Sequence, residues 1–247
     1  MKRSILVLVM LLTASSSVLA QLENKPKTAE KKPKTDWSKT NVYKRSADHL
    51  MFQFGYAAWA GKSDTMHTGG FSRTGNIYLM FDFPFKSNPH LSAAIGAGIG
   101  SDNIFFKNTK IDIKRQAGIL FESDTLNKYK KYKLNTSYLE VPVELRWSAR
   151  PDNMNKGFKA AIGMKLGILW DAKTKAKIDR DTDGNSGYWL KEKSKRSFQG
   201  TRLAVIARIG YGNFTAFGSY QFTELFKLGL GPQGIRPWSV GITFSGL

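Results

Sequence analysis

The chain contains no cysteine, and that absence removes disulfide frameworks, thiolate metal sites and cysteine nucleophiles together. Histidine is scarce, at 3 in 247 residues, which leaves no His-rich metal cluster and few seats for a catalytic base. Carboxylates are also few: 19 Asp and Glu face 38 Lys and Arg, and the net charge of +19 calls for an anionic neighbour such as nucleic acid, a membrane surface or an acidic polymer. No stretch approaches the roughly 18 consecutive apolar residues of a transmembrane helix. What is present is glycine (23 residues) and aromatic side chains (13%) with charged residues held to 23%, a balance that suits folded β structure and not a polar disordered chain.

The N-terminus reads as an address. Lys2 and Arg3 precede an apolar run from Ile5 to Leu12, and Val18-Leu19-Ala20 before Gln21 has the small-residue spacing of a signal-peptidase site. The expected signal peptide is 1–20, and export argues against nucleic acid as a partner. Residues 21–47 carry Lys25, Pro26, Lys27, Lys31, Lys32, Pro33 and Lys34 with nothing periodic to bury, and are expected to form a basic, disordered periplasmic linker.

From 48 to 247 the pattern has period two. Leu50, Phe52, Phe54 and Tyr56 share one parity; so do Ile77, Leu79, Phe81 and Phe83, and then Ala93, Ile95, Ala97 and Ile99 opposite Gly96, Gly98 and Gly100. The fourth segment sets Leu139, Val141, Val143, Leu145 and Trp147 against Tyr138, Glu140, Pro142, Glu144 and Arg146. Four more segments follow, around 158–170, 202–209, 214–222 and 238–244, each near the 9 to 11 residues of a tilted membrane strand. Connections alternate between short (84–90, 149–157, 212–213) and longer (61–72, 103–134, 172–197, 224–235), as when two rims face different compartments. Phe83, Trp147, Trp170, Tyr211 and Trp238 at segment ends suit interfacial girdles. The expected fold is therefore all-β: an eight-stranded antiparallel transmembrane β-barrel, an up-and-down meander in the outer membrane. The competing fold is a soluble calyx with apolar residues inside, which periodicity alone does not separate.

With the polar parity inward, the lumen holds Asp82, Asp102, Glu140, Glu144, Arg146, Lys159, Lys165, Asp171, Arg202 and Arg208, a nearly balanced set. A barrel of eight strands is about wide enough for its own side chains, so an interior charge network that closes the lumen is expected, with a narrow gated ion path as the alternative.

Tyr138-Leu139-Glu140-Val141-Pro142-Val143-Glu144-Leu145, Phe-Gly-Ser-Tyr-Gln-Phe at 217–222 and Arg236-Pro237-Trp238-Ser239-Val240-Gly241-Ile242-Thr243-Phe244 resemble the PorT family of outer-membrane β-barrels from Bacteroidetes-type bacteria. The resemblance covers about 48–247, and Tyr138, Leu139, Glu140 and Pro142 form its most specific part. It implies an outer-membrane barrel and a part in type IX secretion.

The excess charge lies in the linker and in two long connections. Lys107, Lys110, Lys114, Arg115, Lys128, Lys130, Lys131 and Lys133 occupy the first, and eight basic residues the second. Such loops would meet phosphorylated outer-leaflet lipid, anionic polysaccharide or an acidic partner. Asp179, Asp181 and Asp183 before Gly184 open like a calcium loop, but Leu190 stands where its closing Glu belongs, so a polar turn is the stronger reading. His67, with Ser63 and Ser72 nearby, is the one outside-facing histidine candidate for lipid-modifying chemistry, and no nucleophile elbow accompanies it. The expectation is a barrel without cofactor, metal or enzymatic activity, acting as an accessory or assembly component of protein export. Its expected partners are outer-membrane lipid and secretion-system proteins. The alternative is a barrel that binds anionic glycan or lipid at the surface, with a lipid A-modifying enzyme third.

Overall fold

A computed structural model of the protein describes residues 49–63, 66–123, 129–178 and 187–246. The expected signal peptide and linker, and Asp179, Asp181 and Asp183, lie outside the described residues. The strands are β1 (Leu50–Ala60), β2 (Arg73–Pro84), β3 (Leu91–Phe106), β4 (Thr109–Asp112), β5 (Leu120–Ser123), β6 (Tyr129–Ser148), β7 (Phe158–Ile178), β8 (Trp189–Lys193), β9 (Thr201–Tyr211), β10 (Phe214–Gln221) and β11 (Arg236–Ser245). Eight of them form a closed antiparallel barrel in the order β1-β2-β3-β6-β7-β9-β10-β11, with β11 paired back onto β1. Closure leaves no strand edge facing hydrocarbon, where an unpaired amide has no water to turn to. The tightest connection, Gly212-Asn213, uses a positive φ at Gly212 (59°), which matches a two-residue hairpin turn to the twist of β9 and β10.

The burial pattern separates the barrel from a soluble calyx. Ile168 is 68% exposed and Ile162 60%, whereas Glu144 and Arg146 are each 2% exposed. The exposed apolar side chains point outward to the lipid, while the buried inner face carries Glu144, Arg146, Lys165, Arg202 and Arg208 together with a small apolar group, Met51, Met80 and Ala94. Trp147, Tyr211 and Phe83 stand exposed at strand ends, Trp170 stands exposed within β7 and not at its end, and Tyr56 links Phe71 and Trp238 at ring separations of 5.8 and 6.0 Å. His49 and His90 lie at the rim where β1 begins and β11 ends. Each directs Nδ1 at a neighbouring strand's carbonyl, Met80 at 3.2 Å and Ser148 at 2.8 Å, and a carbonyl only accepts, so Nδ1 is the donor.

The structure departs from the sequence reading above the membrane. β3, β6 and β7 run to 16, 20 and 21 residues, well past the 9 to 11 or so that cross a bilayer. Much of 103–134 and 172–197, expected as loops, is strand that continues into water, and β8 widens this wall by pairing with β7. In the extension the sense of burial inverts: Ile104, Phe106, Tyr132, Leu134 and Ala176 are buried and Lys133, Lys175 and Lys177 face outward. A register irregularity in the β6–β7 pairing, where Ser137 opposes Asp171 but Tyr138 opposes Leu169, inserts one residue at Trp170. It flips the parity of β7, so Lys165 points inward below it and Lys173 outward above it. Asp171, placed inside by parity, is corrected by the same irregularity: its carboxylate meets the outer lysines Lys173 and Lys193, each at 2.8 Å.

A single cysteine placed in this cysteine-free chain reads the inversion directly. A fluorophore on Ile162→Cys is expected to be quenched by brominated lipid in reconstituted vesicles, while one on Lys175→Cys is quenched only by aqueous iodide.

Candidate functional site: the filled lumen and the cationic outer wall

The lumen is packed by two ion-pair clusters. In the outer one, Arg202 donates through Nη1 to Glu140 Oε1 (2.9 Å), through Nη2 to Asp102 Oδ2 (2.5 Å) and through Nε to Gln221 Oε1 (2.9 Å). Its guanidinium carbon lies 3.9 Å from the centroid of the Tyr138 ring. The second Glu140 oxygen accepts from the Tyr78 hydroxyl and lies 3.5 Å from Lys165 Nζ. In the inner cluster, Glu144 takes a two-pronged contact from Arg208, Nε at 3.1 Å and Nη2 at 2.5 Å, and a third bond from Arg146 Nε at 2.9 Å. Arg146 Nη1 lies 3.7 Å from Asp82, whose carboxylate also accepts from Ser92 (2.6 Å), and Lys159 donates to Ser245 at 3.2 Å. Thus Asp82, Glu140, Glu144, Arg146, Lys159, Lys165, Arg202 and Arg208 all lie inside the barrel. Asp102, Tyr78 and Gln221 complete their coordination.

The glycine-rich face of β3 makes this possible. A Cβ at Gly100 would fall 2.7 Å from Glu140 Oε2, so the carboxylate occupies space that only glycine leaves open. Of the motif Tyr138-Leu139-Glu140-Val141-Pro142, Tyr138 and Glu140 belong to the outer cluster and Leu139 faces lipid. Pro142 has no N–H to give to β3. There the ladder lapses between the pairs Ile95–Val143 and Gly98–Glu140 without losing register.

Above the charges the lumen is closed by an apolar cap that the sequence reading did not find. Trp59 and Phe106 from the barrel wall (ring separation 5.5 Å) meet Phe226 of the last outer loop and Phe121 of β5, and Phe198 stacks on Phe226 at 5.3 Å. Ile111, Ile113 and Ile119, around the β4–β5 hairpin, pack into the same core. Backbone bonds tie the loops together, Ile119 N to Leu230 O at 2.8 Å and Lys227 N to Ser197 O at 2.9 Å. The only advance sign was the alternation of Ile111 and Ile113, too short to set apart from loop residues.

On the outward face of the strand extensions, basic residues line up across the sheet. Lys133, Lys175 and Lys191 stand directly opposite one another on β6, β7 and β8, and one row below lie Lys173 and Lys193. Arg73 and Lys133 flank the Phe105 ring at 5.4 and 5.5 Å. Like charges directly opposite on a sheet are unfavourable, so these rows work against the fold. Burial, and then the charges of Lys175, Arg73 and Lys173, hold the Lys133 ammonium, in the extramembrane part of β6, below the ordinary lysine range. Burial works to raise the Asp171 carboxyl, but hydrogen bonds from Lys173 and Lys193 outweigh it and hold the group below its ordinary value. His67 and Ser63 line a recess of about 590 Å³ between the first two outer loops, with Lys62, Thr68, Lys107 and Asn108. Ser72, the other hydroxyl considered for chemistry with His67, is buried and accepts from Phe105 N at 3.0 Å. Among the described residues no group of three or more His, Asp or Glu is arranged to hold a metal.

A closed barrel with a lipid-facing apolar band, a charged lumen and a capped mouth defines an integral membrane barrel of the outer-membrane type. The sequence from 46 to 244 matches the family model of the outer membrane protein beta-barrel domain; the chain belongs to that family and lies in the outer membrane. No curated protein matches it. Among solved structures it is distantly similar to Ail, the attachment invasion locus protein of Yersinia pestis, crystallised with the heparin analogue sucrose octasulfate. Identity is 10% and the TM-score 0.31, over 79% of this chain and 95% of that one, a likeness too weak to bear on function.

Two outcomes test the lumen. Glu144→Gln leaves Arg208 and Arg146 without their shared anion and is expected to cost about 3–5 kcal/mol in urea unfolding from lipid vesicles, whereas Glu144→Leu combined with Arg208→Met and Arg146→Met, which strands neither guanidinium, is expected to cost less. In planar bilayers the protein is expected to give no stepwise conductance, and regular channel openings would contradict a filled lumen.

Proposed function

We propose that the protein is a non-enzymatic, sealed outer-membrane barrel that serves protein export as an accessory or assembly component of a type IX-like secretion route. On this reading the signal peptide 1–20 directs export and the basic linker 21–47 remains on the periplasmic side. The observation that carries the proposal is the filled lumen: with two ion-pair clusters and an apolar cap in series, the barrel works through the surfaces it presents and not through what passes along it. The resemblance of Tyr138–Leu145, 217–222 and 236–244 to PorT-type barrels supports export as the process those surfaces serve. A second reading, a barrel that binds anionic glycan or lipid, is favoured by one observation, the lysine rows on the outer wall.

Deletion of the gene in its own host, followed by mass spectrometry of proteins in the medium, on the cell surface and in the periplasm, separates the two. The export reading expects signal-bearing cargo to vanish from outside and collect in the periplasm. An unchanged secreted set overturns it.

A further inference from the structure

Two features of the outer wall lie one above the other, and the sealed lumen explains neither. The lower is a groove of about 960 Å³ on the lipid face, walled by Leu79, Ile99, Leu139, Val141, Leu166 and Ile168. It is backed by Gly98 and Gly167 and lies beside the lapse in the β3–β6 ladder at Pro142. The upper feature is the cation wall. Along β6 the outward face runs Val141, Leu139, Ser137, Asn135, Lys133, passing from groove to lysine row in about 20 Å of strand. Between them is a hydrogen-bonded polar belt, Asn135 donating to Ser101 at 2.8 Å and Ser101 meeting Ser137 at 3.1 Å. Asp171 compensates Lys173 and Lys193 in the lower row. Among the described residues no ion pair forms at Arg73, Lys133, Lys175 or Lys191.

We propose that this wall is a binding site for a phosphorylated, acylated glycolipid of the outer leaflet, one acyl chain lying in the groove and the phosphates against Arg73, Lys133, Lys175 and Lys191. The direction of the side chains selects the ligand. These cations project sideways from the strands, toward neighbouring headgroups, and not upward from loop tips where a soluble polysaccharide would first be met. Long basic stems reach back toward the interface, and each cation near an anionic surface adds to the attraction. The groove lies within hydrocarbon, so only the chain of a lipid has access to it. A phosphorylated lipid also relieves the repulsion that the lysine rows impose on the sheet. The site narrows the second reading to one ligand class and is independent of any role in export, so the secretion experiment and this one fail separately.

The test uses the full chain purified in detergent micelles doped with diphosphorylated lipid A, with retained lipid read by native mass spectrometry. The wild type is expected to hold one lipid, and to hold a dephosphorylated lipid with the same chains at least tenfold more weakly. Lys133→Glu with Lys175→Glu is expected to lose at least tenfold in affinity, and Ala97→Trp, which fills the groove, to weaken retention as well. Both variants are checked for the heat-dependent gel shift of a folded barrel, with Lys133→Gln and Lys175→Gln replacing the reversal if it fails to fold. Equal retention of the dephosphorylated lipid, or by the folded charge variant, overturns the proposal in favour of nonspecific annular lipid. Full displacement by inorganic pyrophosphate or a sulfated polysaccharide overturns it in favour of a soluble polyanion.

Discussion

Inside hydrocarbon a peptide group has no partner but another peptide group, and a sheet satisfies that demand only by closing on itself. With eight strands the cylinder that results is so narrow that opposite walls touch through their side chains. The lumen therefore has to be solved as a packing problem. The chain solves it with charge: Glu140 and Glu144 each gather two cations, and Gly100 of β3 gives the Glu140 carboxylate room. Buried pairs of this kind gain little over well-packed apolar residues, but removing one partner strands the other in a place water does not reach. Seven of the eight barrel strands are joined across the lumen by these contacts, among them β2 through Tyr78 and Asp82, β10 through Gln221 and β11 through Ser245.

The same chain obeys the opposite rule a few residues higher. Past the membrane the solvent outside the wall is water, and the interior becomes an ordinary apolar core built from Trp59, Phe106, Phe121, Phe198 and Phe226. Because the wall continues without a break, the transition is made by changing which parity is polar on β3 and β6, and by the inserted residue at Trp170 on β7. The lysines displaced outward by this arrangement form the cation wall. The filled lumen, the capped mouth and the charged exterior are thus consequences of one sheet crossing from lipid into water.

The membrane portion was open to a reader of the sequence because period two survives there intact: Leu139, Val141, Val143, Leu145 and Trp147 all face lipid and Glu140, Glu144 and Arg146 all face the lumen. The extensions were not. Lys173, Lys175 and Lys177 alternate with Ala172, Thr174 and Ala176, a pattern of small and charged residues that carries no apolar signal, and the sheet there read as loop. Asp171 was misplaced because one inserted residue reverses every later side chain on its strand. Tyr78 went unrecognised as a partner of Glu140 because it lies 62 residues away and is an apolar-looking member of its own strand. The cap joins residues from Trp59 to Phe226, and nothing local marks them as neighbours.

The sequence by itself determined the strand count, the alternation, the membrane class and, Asp171 excepted, the identity of the charges that fill the lumen, since each follows from side-chain chemistry repeating at a fixed spacing along the chain. Only the tertiary structure decided which carboxylate each guanidinium meets, where the wall leaves the lipid, how the mouth is capped and which lysines stand in rows. Those depend on register between strands and on a one-residue insertion, and register is fixed by the whole closed sheet at once.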